Sequence, residues 1–287
     1  MKNEKNEKLI ITIAKEISSL IPDCCGVTLG GSRMNNLEDE NSDVEMYFYT
    51  HSGAPSIESI TKCLLKLNAK HRRTNTFLWQ NKMPWGPHSF FVIDDLYFEI
   101  GYRNIDDIRS RITSYEDGNV SPIQDCHDLG LGYMPSGLAA SVASEKILIK
   151  ETEELLELKK MASNFPKNLM SNLKIEYFET AKSLIDGKLL SSAERADVFL
   201  YESISGRIIR CLMVMAFAIS GKHFPGDKWN EPLLLRTNWR NREKFLNLLK
   251  EHFLFPAITS EDFINKRNIL CKAYKMIERD IKEVNNG

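Results

Sequence analysis

Two carboxylates one residue apart head an apolar run, Asp43-Val44-Glu45-Met46-Tyr47-Phe48-Tyr49. Successive side chains of a β-strand point to opposite faces, so Asp43 and Glu45 fall on one side and Val44, Met46 and Phe48 on the other. One face suits chemistry and the other a core. Two like charges this close repel, and taking them out of water is costly unless a cation compensates. Oxygen donors alone at such spacing suit a hard divalent ion, which makes Mg2+ the expected cofactor. A carboxylate shared between two such ions would form the clamp that phosphoryl-transfer chemistry uses.

Just upstream, Leu29-Gly30-Gly31-Ser32-Arg33 reads as the end of a strand and a tight turn. Glycines let a backbone turn approach a phosphate closely, and Ser32 adds a hydroxyl and its own N–H. Arg33 follows directly and is a candidate for a phosphate contact, although a solvated loop arginine fits the same pattern. Leu96-Tyr97-Phe98-Glu99-Ile100-Gly101-Tyr102 reads as a later strand in which Phe98 and Ile100 alternate inward and Glu99 projects from the opposite face.

Strands and helices must hold these groups in place. Apolar spacing predicts an amphipathic helix over 7–20, ended by Pro22, with Leu9, Ile10, Ile13, Ala14, Ile17 and Leu20 on one face. Strands are expected at 26–29 and 43–50, joined by an Asn- and acid-rich loop, and a helix at 57–67 capped by Ser56. The segment 75–88, with Trp79, Pro84, Trp85 and Pro87, reads as an irregular excursion. Residues 89–93 and 96–102 read as a hairpin turning at Asp94-Asp95, which turn chemistry explains better than metal ligation. A helix over 104–114 completes an α+β first part.

From Leu138 the apolar period is helical almost to the end, over 138–160, 169–185, 193–220, 241–253 and 261–284, with breaks at Pro166, Gly187, Pro225-Gly226 and Pro256. The expected organisation is a mixed sheet with flanking helices over 1–122, a connector over 123–137, and an all-α helical bundle over 138–287.

At 43% hydrophobic and 27% charged, the 287 residues suffice for a solvated surface around a sizeable core. A formal net charge of −1 argues against gripping long nucleic acid through a basic surface, while leaving room for a local basic patch. The longest apolar run, over 211–220, is too short to span a bilayer. Cys24, Cys25, Cys63, Cys126, Cys211 and Cys271 show no Cys-x-x-Cys spacing, so reduced thiols in a cytoplasmic protein are expected. Asp125-Cys126-His127-Asp128 has too few soft ligands to read as a zinc site.

Gly30-Gly31-Ser32, the spacer 33–42 and Asp43-Val44-Glu45-Met46, with Glu99 on a later strand, resemble the signature of the polymerase-beta-like nucleotidyltransferase superfamily. Glu45 stands where aspartate is commoner in that signature. Followed by a helical bundle, the chain resembles the small-molecule nucleotidyltransferases that adenylylate aminoglycoside or lincosamide antibiotics. The resemblance implies transfer of a nucleoside monophosphate, AMP from ATP, to a hydroxyl of a small acceptor with release of pyrophosphate. It implies Asp43, Glu45 and Glu99 as the catalytic and Mg2+-binding set, and Gly31 and Ser32 as the triphosphate cradle.

A second, weaker resemblance covers Gly221-Lys222-His223-Phe224-Pro225-Gly226-Asp227-Lys228-Trp229, similar to a turn in the helical domain of some bacterial nucleotidyltransferases. It implies Lys228, or Lys222, as a further nucleotide contact; Lys146 is a third candidate. A helix-ending turn with Trp229 buried explains the same residues. In such enzymes a second subunit sometimes completes the cleft, so an oligomer is compatible with the sequence. Two other readings share the fold: a protein- or tRNA-directed nucleotidyltransferase, and a nucleotide-sensing module without catalysis.

Overall fold

A computed structural model of the chain describes residues 2–72, 77–79, 86–123 and 133–284. Most of the aromatic excursion expected over 75–88 and the Asp125–Asp128 segment lie outside the described residues. The chain divides into two compact units, residues 1–113 with 138–164, and residues 114–137 with 165–287.

The first unit is α+β. Its mixed sheet is built from β1 (Cys24–Leu29), β2 (Val44–Thr50), β3 (Lys70–His71), β4 (Leu78–Trp79), β5 (His88–Ile93), β6 (Leu96–Asn104) and β7 (Lys146–Ile149), in the order β3-β5-β6-β2-β1-β7 with β4 beside β5. β2 runs antiparallel to β1 and parallel to β6. Alternation along β2 and β6 sorts the side chains as expected. Val44, Met46, Phe48, Phe98, Ile100 and Tyr102 are buried in one core with Ile10, Ile13, Ala14 and Ile17 of α1 (Lys2–Ser18) and Ile60 and Leu64 of α3 (Ile57–Lys66). Ser56 caps α3 by accepting a hydrogen bond from the Ser59 N–H. The β5–β6 hairpin turns at Asp94 and Asp95, both left-handed at φ +50° and +63°, as a two-residue loop requires.

Between β1 and β2 the Gly-Gly-Ser turn forms a single helical turn, α2 (Gly31–Met34). β2 begins at Val44, so Asp43 sits just ahead of the strand rather than inside it. After β6 comes α4 (Ile105–Glu116).

Residues 138–160 are not one helix. α5 (Pro135–Ser144) ends at Glu145, β7 adds an antiparallel edge strand beside β1, and α6 (Glu153–Ser163) follows, capped by Thr152. Ile147, Leu148 and Ile149 are β-branched or apolar residues that a sheet edge accepts as readily as a helix does. The stretch assigned to the start of the bundle therefore belongs with the sheet.

The second unit is helical. A continuous helix over 167–194 is built from α7 (Lys167–Leu173), α8 (Glu179–Leu184) and α9 (Leu190–Glu194), joined by π-helical segments Lys174–Phe178 and Ile185–Leu189. Gly187, expected as a break, lies inside the second π segment, where Ile185 and Leu189 are buried and hold the helix. The break falls instead at Ala196, left-handed at φ +50°, so the helix expected over 193–220 is divided. Asp197 then caps α10 (Val198–Ile219), accepting from the Leu200 N–H. α10 packs on the 167–194 helix and on α13 (Ser260–Val284), α11 (Asn230–Leu235) lies against α10 and α12 (Arg242–Leu254), and α12 covers α13. Among the described residues, no helix is long and apolar enough to cross a membrane.

Candidate functional site

Three alternate pairs along β2 and β6 share the face opposite the core: Glu45 with Glu99, Tyr47 with Gly101, and Tyr49 with Arg103. Neighbouring strands run about 4.8 Å apart, so the Glu45 and Glu99 side chains leave the sheet side by side. Asp43 lies two residues before Glu45. Its Oδ2 is 3.3 Å from Arg72 Nη1, and that guanidinium also sits 4.0 Å above the Tyr97 ring. Across the other edge of β6, the buried His88 brings Nε2 to 3.8 Å from Glu99 Oε1.

The glycines are explained by what they leave room for. Gly31 has φ +68°, and a Cβ there would collide with the Glu45 carboxylate. A Cβ on Gly101 would come within 2.8 Å of the Tyr47 ring. Tyr47 fills that space and donates its hydroxyl to Glu45 Oε2 at 2.9 Å. Burial, followed by the adjacent Glu45 charge, raises the Tyr47 hydroxyl well above its ordinary value, so it stays a donor.

Beneath Tyr47 lies a buried ion pair. Arg103 Cζ is 3.5 Å from the Tyr47 ring centroid, and Arg103 Nη1 is 2.6 Å from Glu145 Oε1. Thr28 Oγ1 and the Tyr49 hydroxyl each donate to Glu145 Oε2 at 2.7 Å, and Ser141 Oγ donates to Glu145 Oε1 at 2.9 Å. With Arg103 3% exposed, two charges this deep persist because they are matched and hydrogen-bonded on several sides. Glu145 thus positions Arg103, Arg103 supports Tyr47, and Tyr47 fixes Glu45.

His88 is held neutral. Burial lowers its pKa to about 4 against an opposing hydrogen bond to the Gly86 carbonyl, with the Arg103 charge lowering it further.

The carboxylates at this end of the face are oxygen donors, the kind a hard cation takes, with Glu45 and Glu99 in register and Asp43 just ahead of β2; as they stand, the ligand atoms of the three are not gathered within 4.8 Å of one another. Ser32 is buried in the turn beside them. Arg33 directs its guanidinium to the backbone, donating to the Asp43 carbonyl at 3.2 Å and the Ser42 carbonyl at 3.3 Å. It closes the loop whose end carries Asp43. Lys146 is exposed at the first position of β7. Lys222 and Lys228 are exposed in the second unit. Trp229 is 41% exposed and left-handed at φ +61°, so it is not the buried anchor of that turn; Phe224, 2% exposed, is.

Arg72, His88 and the Tyr47–Arg103–Glu145 chain were not legible as site residues. Tyr47 and Arg103 carried a signal, through their parity with Glu45 and Glu99 along their strands. Arg72 and Glu145 come from distant segments with no spacing relation to the carboxylates.

No known family model matches the chain, and no curated protein matches it. Among solved structures, the chain is similar to a nucleotidyltransferase-like protein from Exiguobacterium sibiricum 255-15, at 11% identity and a TM-score of 0.46, over 97% of this chain and 79% of that one. A likeness at this level assigns neither substrate nor residue roles.

Proposed function

We propose that the protein is a Mg2+-dependent nucleotidyltransferase that moves AMP from ATP onto a hydroxyl of a small molecule and releases pyrophosphate. The observation that carries this reading is the registered pair Glu45–Glu99, with Asp43 two residues before Glu45 and Gly31 packed against the Glu45 carboxylate. Asp43, Glu45 and Glu99 would hold Mg2+, which when bound would neutralise phosphate charge. Gly31 and Ser32 cradle the triphosphate, and Arg33 holds the end of the loop that carries Asp43.

The acceptor hydroxyl oxygen attacks the α-phosphorus, the bond from that phosphorus to the pyrophosphate oxygen breaks, and the hydroxyl proton passes to a carboxylate, the role this reading gives to Glu99 if it does not serve the metal. Tyr47 keeps Glu45 in one orientation throughout. Aminoglycosides and lincosamides are the acceptor classes to try first, since their hydroxyl-bearing scaffolds match the resemblance.

The test is pyrophosphate release from each nucleoside triphosphate with Mg2+ and a panel of those antibiotics, with Asp43→Asn as control. Release that requires one acceptor and is lost by several orders of magnitude in Asp43→Asn supports the reading. Nucleotide binding without turnover on any acceptor, unchanged by Asp43→Asn, overturns it.

A further inference from the structure

At the far end of β2 from the carboxylates, a second cluster of ligating groups comes together from three separate segments. Cys25 lies near the start of β1, His51 directly follows β2, and Glu154 lies in the first turn of α6. Their ligand atoms, one from each residue, all lie within 4.8 Å of one another. We infer that Cys25, His51 and Glu154 form a binding site for a zinc-class divalent transition ion, distinct from the carboxylate site and about 20 Å from Glu45 along the strand.

The donor types select the metal. A thiolate and an imidazole suit zinc and its neighbours rather than magnesium, and three protein ligands leave the fourth tetrahedral position to water. The histidine is already oriented as a ligand. Asp106 Oδ2 lies 2.9 Å from His51 Nδ1, so a carboxylate fixes that nitrogen as the protonated one and turns Nε2 toward Glu154 Oε2, 3.3 Å away. This is the carboxylate–histidine pairing that supports metal-bound imidazoles. Arg109 Nη2 approaches the other Glu154 oxygen, Oε1, at 3.7 Å, which leaves Oε2 for the ion.

The segments are held in place independently of any ion. Ser52 donates both its N–H, at 2.6 Å, and its hydroxyl, at 2.8 Å, to Asp23, and Asn104 Nδ2 donates to the His51 carbonyl at 2.5 Å. Cys25 is buried at 6% exposure. Binding exchanges the Cys25 thiol proton, which leaves to solvent, for a bond to the metal, while the hydrated ion gives up the waters that the three ligands replace. Thiolate and carboxylate together balance the dication.

The experiment is a Co2+ titration of the full chain after chelator treatment and dialysis, followed by absorbance. The expected result is a thiolate-to-cobalt charge-transfer band saturating at one ion per chain and displaced by Zn2+. The band is absent in Cys25→Ser, is lost in His51→Gln, needs about 10–100-fold more metal in Asp106→Asn, and is unchanged in Asp43→Asn. His51 is exposed, so His51→Gln folds, and circular dichroism checks this. Zn2+ also raises the melting temperature of the wild type and leaves that of His51→Gln unmoved. No charge-transfer band on folded wild-type protein, or a band that survives Cys25→Ser, overturns the site.

Discussion

Glu45 and Glu99 stand directly opposite one another on adjacent parallel strands, two carboxylates on one face of the sheet. Like charges in that relation oppose strand pairing. Glu99→Gln is expected to raise the melting temperature modestly in chelator; on the proposed reading Mg2+ should stabilise the wild type, and the variant should lose most of that gain. Thermal melts with and without Mg2+ check both. A variant less stable than wild type in chelator would mean that the pair is already compensated by the protein's own cations.

Gly31→Ala places a methyl group against the Glu45 carboxylate at a backbone angle of φ +68°. The left-handed conformation alone costs a β-carbon residue about 1–2 kcal/mol. Urea denaturation should show a loss of at least that size. Transfer should fall much further than stability does, because Glu45 must move; a variant with wild-type turnover would refute that coupling.

The Arg103–Glu145 pair predicts asymmetry between single and double replacements. Glu145→Gln or Arg103→Met leaves one charge buried and unmatched, at a cost of about 3–5 kcal/mol. Replacing both with apolar residues should recover much of that loss. The double-mutant cycle by urea denaturation measures it, and additive losses would show that the two charges act independently.

Acid should destabilise the protein through His88. In the unfolded chain this histidine takes up a proton near pH 6.5, whereas burial delays protonation in the fold to about pH 4. Unfolding therefore binds a proton between these values, and stability falls as pH drops through that window, by about 3 kcal/mol at its lower end. His252, buried beside the Lys266 carbonyl and shifted down chiefly by burial, acts in the same direction. Melts at pH 7 and pH 5 in wild type and His88→Asn test this, with a shallower fall expected in the variant.

The features legible in the order of residues are local and periodic. Alternation from Val44 to Phe48 and from Phe98 to Tyr102 identified the strands, their core face and the face bearing Glu45 and Glu99, because a strand's period of two admits one choice once a core must form. Helical spacing found α1, α3 and the long helices of the second unit, and the Asp94-Asp95 turn was legible from its chemistry. The tertiary structure alone decided what lies far apart in the chain. β7 became a strand because the exposed edge of β1 takes backbone hydrogen bonds that residues 146–149 can also make within a helix, and local propensity does not separate the two. Glu145 meets Arg103, Arg72 meets Asp43, and Cys25 meets His51 and Glu154 only through strand order and helix return. No spacing in the sequence encodes those distances.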